Sequence, residues 1–205
     1  MTKQTYVPTR RGVLASALGV SALGTAAITT GPATAALGDP AVPTDPDVLF
    51  FLNLPGIPGQ ATTKGFEGQI ELHTWAWGVD SSGSSSGGGG GGAGKATPRN
   101  VIALADSGIA SPLLMLTTNN GKHLPTAVLS CVRKPKKPFV FMTLKLEDVL
   151  VTSYAVTPDP TNGHPLDLVH LDFAKLTHQV VPQNADGTAG TPVTATFDYK
   201  LNQGS

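Results

Sequence analysis

The chain has 205 residues, with 14 Lys and Arg against 14 Asp and Glu; charged residues make up only 14% of it, while Gly (24) and Pro (17) are plentiful. Once targeting and flexible segments are set aside, that length suffices for one compact domain, and the composition suits strands and turns rather than long helices. Without Lys3, Arg10 and Arg11, which have no acidic neighbour, 11 basic residues face 14 acidic ones, a net charge of −3 that argues against nucleic acid or anionic lipid as the main partner.

Residues 1–35 read as a signal peptide. A basic start ends in Arg10-Arg11, an uncharged Ala-, Leu- and Gly-rich run follows from Gly12 to Ile28, and Ala33-Thr34-Ala35 supplies a small-residue cleavage site. The run is too weakly apolar for a permanent span, so no stable membrane insertion is expected after cleavage. Thr9-Arg10-Arg11-Gly12-Val13-Leu14 resembles a twin-arginine signal, departing from it at Gly12 and Val13. That implies folding before export and a secreted, extracellular location. Residues 36–47, rich in Pro and Asp, read as a flexible leader.

Strand signals then begin. Val48–Leu54 is a short apolar run closed by Pro55-Gly56, and Ile57–Gly65 reads as a loop. Gln69–Gly78 alternates, with Ile70, Leu72, Thr74 and Ala76 on one face and Glu71, His73, Trp75 and Trp77 on the other. A face carrying a carboxylate and two tryptophans reads as core packing or a subunit interface. Ser81–Gly94 is a flexible Gly/Ser loop. Asn100–Leu104 is a strand. Ser111–Gly121 is a short helix, with Ser111 as N-cap, Pro112 in the first turn and Gly121 beyond the end. Thr126–Val132, Phe139–Leu146, Val149–Val156, Leu166–Val181 and Val193–Tyr199 are further strands. Val140, Met142, Leu144 and Leu146 form an apolar face in one of them, and Val169, Leu171 and Phe173 in another. Arg133-Lys134-Pro135-Lys136-Lys137 reads as a solvated turn. The single Cys131 permits no intrachain disulfide and reads as a buried, inert thiol. Seven or eight strands with one short helix suggest a mainly β domain, barrel or sandwich.

Apparent chemical motifs fail on context. Gly89–Lys95 approaches a P-loop, but Ala96 stands where a hydroxyl is needed and a Ser/Gly tract precedes it. Gly83-Ser-Ser-Ser-Gly87 spells a hydrolase elbow inside low-complexity sequence. His73, His123, His164, His170 and His178 show no metal-site spacing, and His170 with Asp172 reads as a solvated face. No catalytic, metal or cofactor residue is assigned.

The order of these segments resembles the Hcp family, whose members form the tube of type VI secretion systems. The resemblance is carried by Leu52–Gly59, Gln69–Val79 with its W-x-W-G ending, Gly87–Lys95, Ala110–Leu114, Gly121-Lys122-His123, Leu146–Tyr154, Leu171–Lys175 and Gln183–Gly190. It implies a small closed β-barrel of seven to eight strands with one short flanking α-helix over residues 48–200. It also implies homo-hexameric rings that stack into tubes, with effector proteins as cargo in the lumen, and a structural role rather than an enzymatic one. Glu71, His73, Trp75 and Trp77 become a candidate subunit interface. The loop Asp80–Arg99, with Gly92 and Lys95, would reach between stacked rings. Ordering that much glycine costs about 1–2 kcal/mol per residue, so stacking needs many loops engaged together. The signal peptide departs from the family, whose tube subunits usually carry none. A monomeric secreted binding module on the same barrel is the alternative.

Overall fold

The computed structural model describes residues 47–81, 95–134 and 139–205. The segment expected to be a signal peptide, nearly all of the expected leader, the Gly/Ser loop beyond Ser81 and Pro135-Lys136-Lys137 of the basic run lie outside the described residues.

The elements run β1 (Val48–Asn53), β2 (Ile70–Ala76), β3 (Val79–Ser81), β4 (Ala96–Pro98), β5 (Val101–Asp106), α1 (Ser111–Asn119), β6 (His123–Arg133), β7 (Phe139–Pro158), β8 (Pro165–Val180), β9 (Val193–Asp198) and β10 (Gln203–Gly204). All pairings are antiparallel. One sheet runs β10-β9-β8-β5-β2-β1-β6-β7 and closes through β7 with β8, which makes a six-stranded barrel with β9 and β10 as an extension. β3 and β4 form a separate hairpin. Among the described residues, no helix is long and apolar enough to cross a membrane.

The barrel interior is filled by alternate residues of each strand, including Leu52, Leu72, Val101, Ala103, Leu129, Leu144, Leu146 and Leu171. β1 buries both faces. Leu52 points inward, while Phe51 on the outer face stacks on Phe66 at 4.5 Å and packs with Ala61 and Val132. The segment between β1 and β2 therefore works as a cover. It is held by hydrogen bonds from the Gly59 N–H to the Gly68 carbonyl (2.8 Å) and from the Ala61 N–H to the Gln69 carbonyl (3.0 Å). Gly59 has to be glycine, since a Cβ there would stand 2.1 Å from the Gln69 carbonyl oxygen.

Several elements differ from the sequence expectation, each for a local reason. Phe139–Leu146 and Val149–Val156 are one strand, because Asp148 adopts a left-handed conformation (φ 53°) and lets β7 continue. Buried residues change phase there, from Leu144 and Leu146 to Val149 and Val151. β8 changes phase at the same level, between Phe173 and Leu176, and β6 between Leu124 and Ala127. Val140 leaves the Met142–Leu146 face because Phe141 is an extra residue opposite Cys131 and Val132, and Val140 joins the outer cluster with Phe51 instead. The inward face Val169, Leu171 and Phe173 is as expected.

α1 is where the sequence places it, with Pro112 in the first turn and Gly121 at φ 57° beyond its end. Ser111 is not the cap: Ala110 holds that position without a side-chain bond, and the Ser111 hydroxyl turns elsewhere. β3, β4 and β10 have two or three residues each and carry too few side chains for a periodic signal.

Leu171 is fully buried in the barrel while Val193 is 71% exposed. Leu171→Ala is expected to cost about 2–5 kcal/mol by urea denaturation, and Val193→Ala no more than about 0.5 kcal/mol.

Candidate functional site

The register assigns residues to the two ends of the barrel. β1 starts opposite the end of β6 (Val48 with Arg133), and the end of β8 meets the start of β7 (Val180 with Met142). The start of β5, the end of β2 and the β3–β4 hairpin lie at this first end. At the second end are the start of β2, the end of β5, the start of α1, and the β7–β8 turn joining Pro158 to Pro165.

The two ends carry different sets of charged side chains. The first end carries Lys95, Arg99, Arg133 and Lys134 with Asp47, Asp80 and Asp186. Arg99 grips Asp80 with two bonds of 2.6 and 2.7 Å, which hold the Asp80 carboxyl below the usual range. At the second end, a groove of about 440 Å³ is lined by Gln60, Glu71, His73, Asp106, Gly108 and Ile109 among others, with no lysine or arginine. His73 and Asp106 are 2.8 Å apart. Asp159 lies in the next turn, its carboxyl held low by the Thr161 hydroxyl and backbone N–H, then by Asn162 and the field of His73.

This geometry separates the residues that the alternation in β2 grouped together. Leu72 pairs with Ala105 but Thr74 pairs with Leu104, so His73 is an extra residue in β2. The phase flips there. Glu71 and His73 stay outward in the second-end groove, whereas Trp75 pairs with buried Ala103 and packs with Trp77 on the main core. Trp75 meets Phe50 edge-on at 6.3 Å, and Trp77 meets His178 at 6.5 Å. The Trp77 Nε1 and His178 Nε2 atoms are buried without hydrogen-bond partners among the described residues. Lys95 is exposed and leads directly into β4, not into a helix, so the P-loop arrangement is absent. Gly92 lies outside the described residues, as do Arg10, Arg11, Ala33 and Ala35. Among the described residues, no group of three or more His, Cys, Asp or Glu could hold a metal ion.

A polar node braces the second end from within. Asp167 is 2% exposed, and its carboxylate accepts hydrogen bonds from the hydroxyls of Ser107 (2.6 Å), Ser111 (2.5 Å) and Tyr154 (3.0 Å). Burying a carboxylate is costly unless such donors replace water. Tyr154 reaches it because Thr152 is an extra residue in β7, which turns Tyr154 inward opposite Val169. Burial, with the neighbouring carboxylate second, pushes the Tyr154 hydroxyl above its ordinary pKa. The Asp167 node escapes sequence reading because its donors come from three segments. An acidic residue in phase with Val169 and Leu171 was the one available signal.

Two exposed features remain. α1 carries no charged residue and presents Met115 and Leu116, next to Ile109, to solvent. β9 pairs with β10 only at Phe197 and Asp198 through the ladder, so among the described residues its Val193–Ala195 stretch is an open edge, with Val193 and its partner Val180 both exposed.

Cys131 is 1% exposed, and burial pushes its thiol up to about 12, against a weaker opposing contact from Trp75. Only the thiolate reacts with alkylating and disulfide reagents. At mildly alkaline pH, a thiol-reactive chromophore is expected to leave the native protein unlabelled and to modify Cys131 fully in denaturant. Rapid native labelling would contradict this burial.

The family model described as the type VI secretion system effector Hcp matches residues 51–180. Protein Hcp1 of Pseudomonas aeruginosa is 30% identical over 158 residues, covering 76% of this chain and 97% of its own length. A solved structure of a type six secretion system protein superposes with a TM-score of 0.72 at 24% identity, covering 77% of this chain and 99% of that one. Hcp1 from Salmonella typhimurium gives 0.64 at 23% identity, over 78% and 99% of the two chains. At these identities the two structures establish the barrel fold.

Proposed function

Because this chain belongs to the Hcp family of type VI secretion proteins, we propose that it is an exported structural subunit that assembles with itself into hexameric rings, and that the rings stack into tubes. The observation that carries this is the difference between the two ends: Glu71, Asp106 and Asp159 gather at one, around a groove lined without lysine or arginine, while Lys95, Arg133 and Lys134 stand at the other. Like ends repel and unlike ends attract, which favours a head-to-tail contact between copies. The open edge of β9 supports lateral contact within a ring. A lumen in such a ring would be the path for effector cargo. The subunit's work is then to present surfaces to its own copies, and no chemical step is assigned to it.

Negative-stain electron microscopy and sedimentation of the mature protein test the proposal. Rings or tubes are expected at low ionic strength. Stacks are expected to fall back to rings at about 1 M salt, where the Debye length shrinks to about 3 Å. Asp106→Lys should also weaken stacking and spare the rings. A strict monomer at high concentration would overturn the assembly reading and favour the binding module.

Export by a twin-arginine signal is the second part of the proposal, supported by Arg10-Arg11 ahead of a weakly apolar run and Ala33-Thr34-Ala35. Replacing Arg10 and Arg11 by lysine is expected to leave folded, unprocessed protein in the cytoplasm. Normal processing and export of that variant would point to the general secretory route instead.

A further inference from the structure

Two asparagines in the chain precede glycine, at Asn120-Gly121 and Asn162-Gly163. An asparagine in that position is open to attack by the following backbone nitrogen, because glycine brings no Cβ to obstruct the approach. The two sites differ in how the reacting groups are held.

At Asn162 every group is engaged. Its Oδ1 accepts the His164 N–H at 2.8 Å, its Nδ2 donates to Asp159 Oδ2 at 3.0 Å, and the Gly163 N–H donates to the Asp159 carbonyl at 2.8 Å. The nucleophile and the carbon it would attack are both fixed. Asn120 closes the last turn of α1 and is exposed, and its side chain makes no hydrogen bond to a described residue. The Gly121 N–H donates to the Thr118 carbonyl at a longer 3.2 Å. The end of a nine-residue helix is also where opening costs least.

We propose that Asn120 is the site at which this protein deamidates. The Gly121 nitrogen loses its proton and bonds to Asn120 Cγ, and the side-chain nitrogen leaves as ammonia, giving a cyclic imide. Water then adds to either imide carbonyl and breaks its bond to nitrogen. The products are an aspartate or an isoaspartate, with ammonia carrying away the proton as ammonium. The sum is one amide and one water giving one carboxylate and one ammonium, with no oxidant or reductant.

The products alter the helix end. A carboxylate appears at the C-terminus of a helix with no other charge, where the exposed carbonyls disfavour it. The isoaspartate form lengthens the backbone by one carbon between Asn120 and Gly121. That displaces the Lys122 N–H from the Thr117 carbonyl, a 3.2 Å bond that guides the chain into β6.

Native protein held in mildly alkaline buffer, digested and mapped by mass spectrometry with separation of the two isomers, tests this. Aspartate and isoaspartate are expected to accumulate at Asn120 several-fold faster than at Asn162, and the two rates are expected to converge in denaturant. Asp159→Ala, which frees Asn162 Nδ2, is expected to raise deamidation at Asn162 and leave Asn120 unchanged. Equal rates in the native protein, faster reaction at Asn162, or no response to Asp159→Ala would each overturn the assignment.

Discussion

Closure of the barrel rests on the pairing of β7 with β8, which runs from Met142 opposite Val180 to Pro158 opposite Pro165. A sheet of this size has edges unless its outer strands meet. Both strands change the face they bury at the same level, around Asp148 in β7 and between Phe173 and Leu176 in β8. Because the two shifts coincide, Leu146, Val149 and Val151 of β7 stay inside opposite Leu176, Phe173 and Leu171 of β8. A shift in one strand alone would turn every residue beyond it to the wrong face. The left-handed Asp148 is held in place by His123 at 2.8 Å and by a contact from Lys200, which tie the start of β6 and the turn after β9 to the same point.

The other irregularities follow the same pattern of one extra residue redirecting a side chain. His73 in β2 moves the tryptophans inward, and Thr152 in β7 brings Tyr154 to Asp167. The barrel end under α1 is therefore braced by a buried carboxylate shared among three hydroxyls, and the opposite end by aromatic packing. Each end is built from different chemistry. A subunit with two unlike ends is suited to polar, end-to-end assembly, whereas a two-fold dimer needs matching patches.

Much of the fold was legible along the chain. The apolar runs at Val48–Leu54 and Asn100–Leu104, the helix start at Ser111-Pro112 and the alternation in Val169, Leu171 and Phe173 all mark their elements, because each is a local apolar pattern or a terminal signal. The facing of the β2 side chains was only partly legible. Glu71 and His73 do face outward, but Trp75 and Trp77 do not share their face, since strict alternation assumes an unbroken ladder and the extra residue at His73 breaks it.

What the sequence determined by itself is the longer strands, the helix at Ser111, a resemblance to the family and a thiol with no intrachain partner. These depend on residues close together in the chain or on their order along it. The tertiary structure alone decided that β7 is one strand, that Asp167 is shared by Ser107, Ser111 and Tyr154, and that Glu71, Asp106 and Asp159 gather at one end. Those outcomes join residues from separate strands, and the positions of the bulges and of the left-handed Asp148 fix which side chains meet.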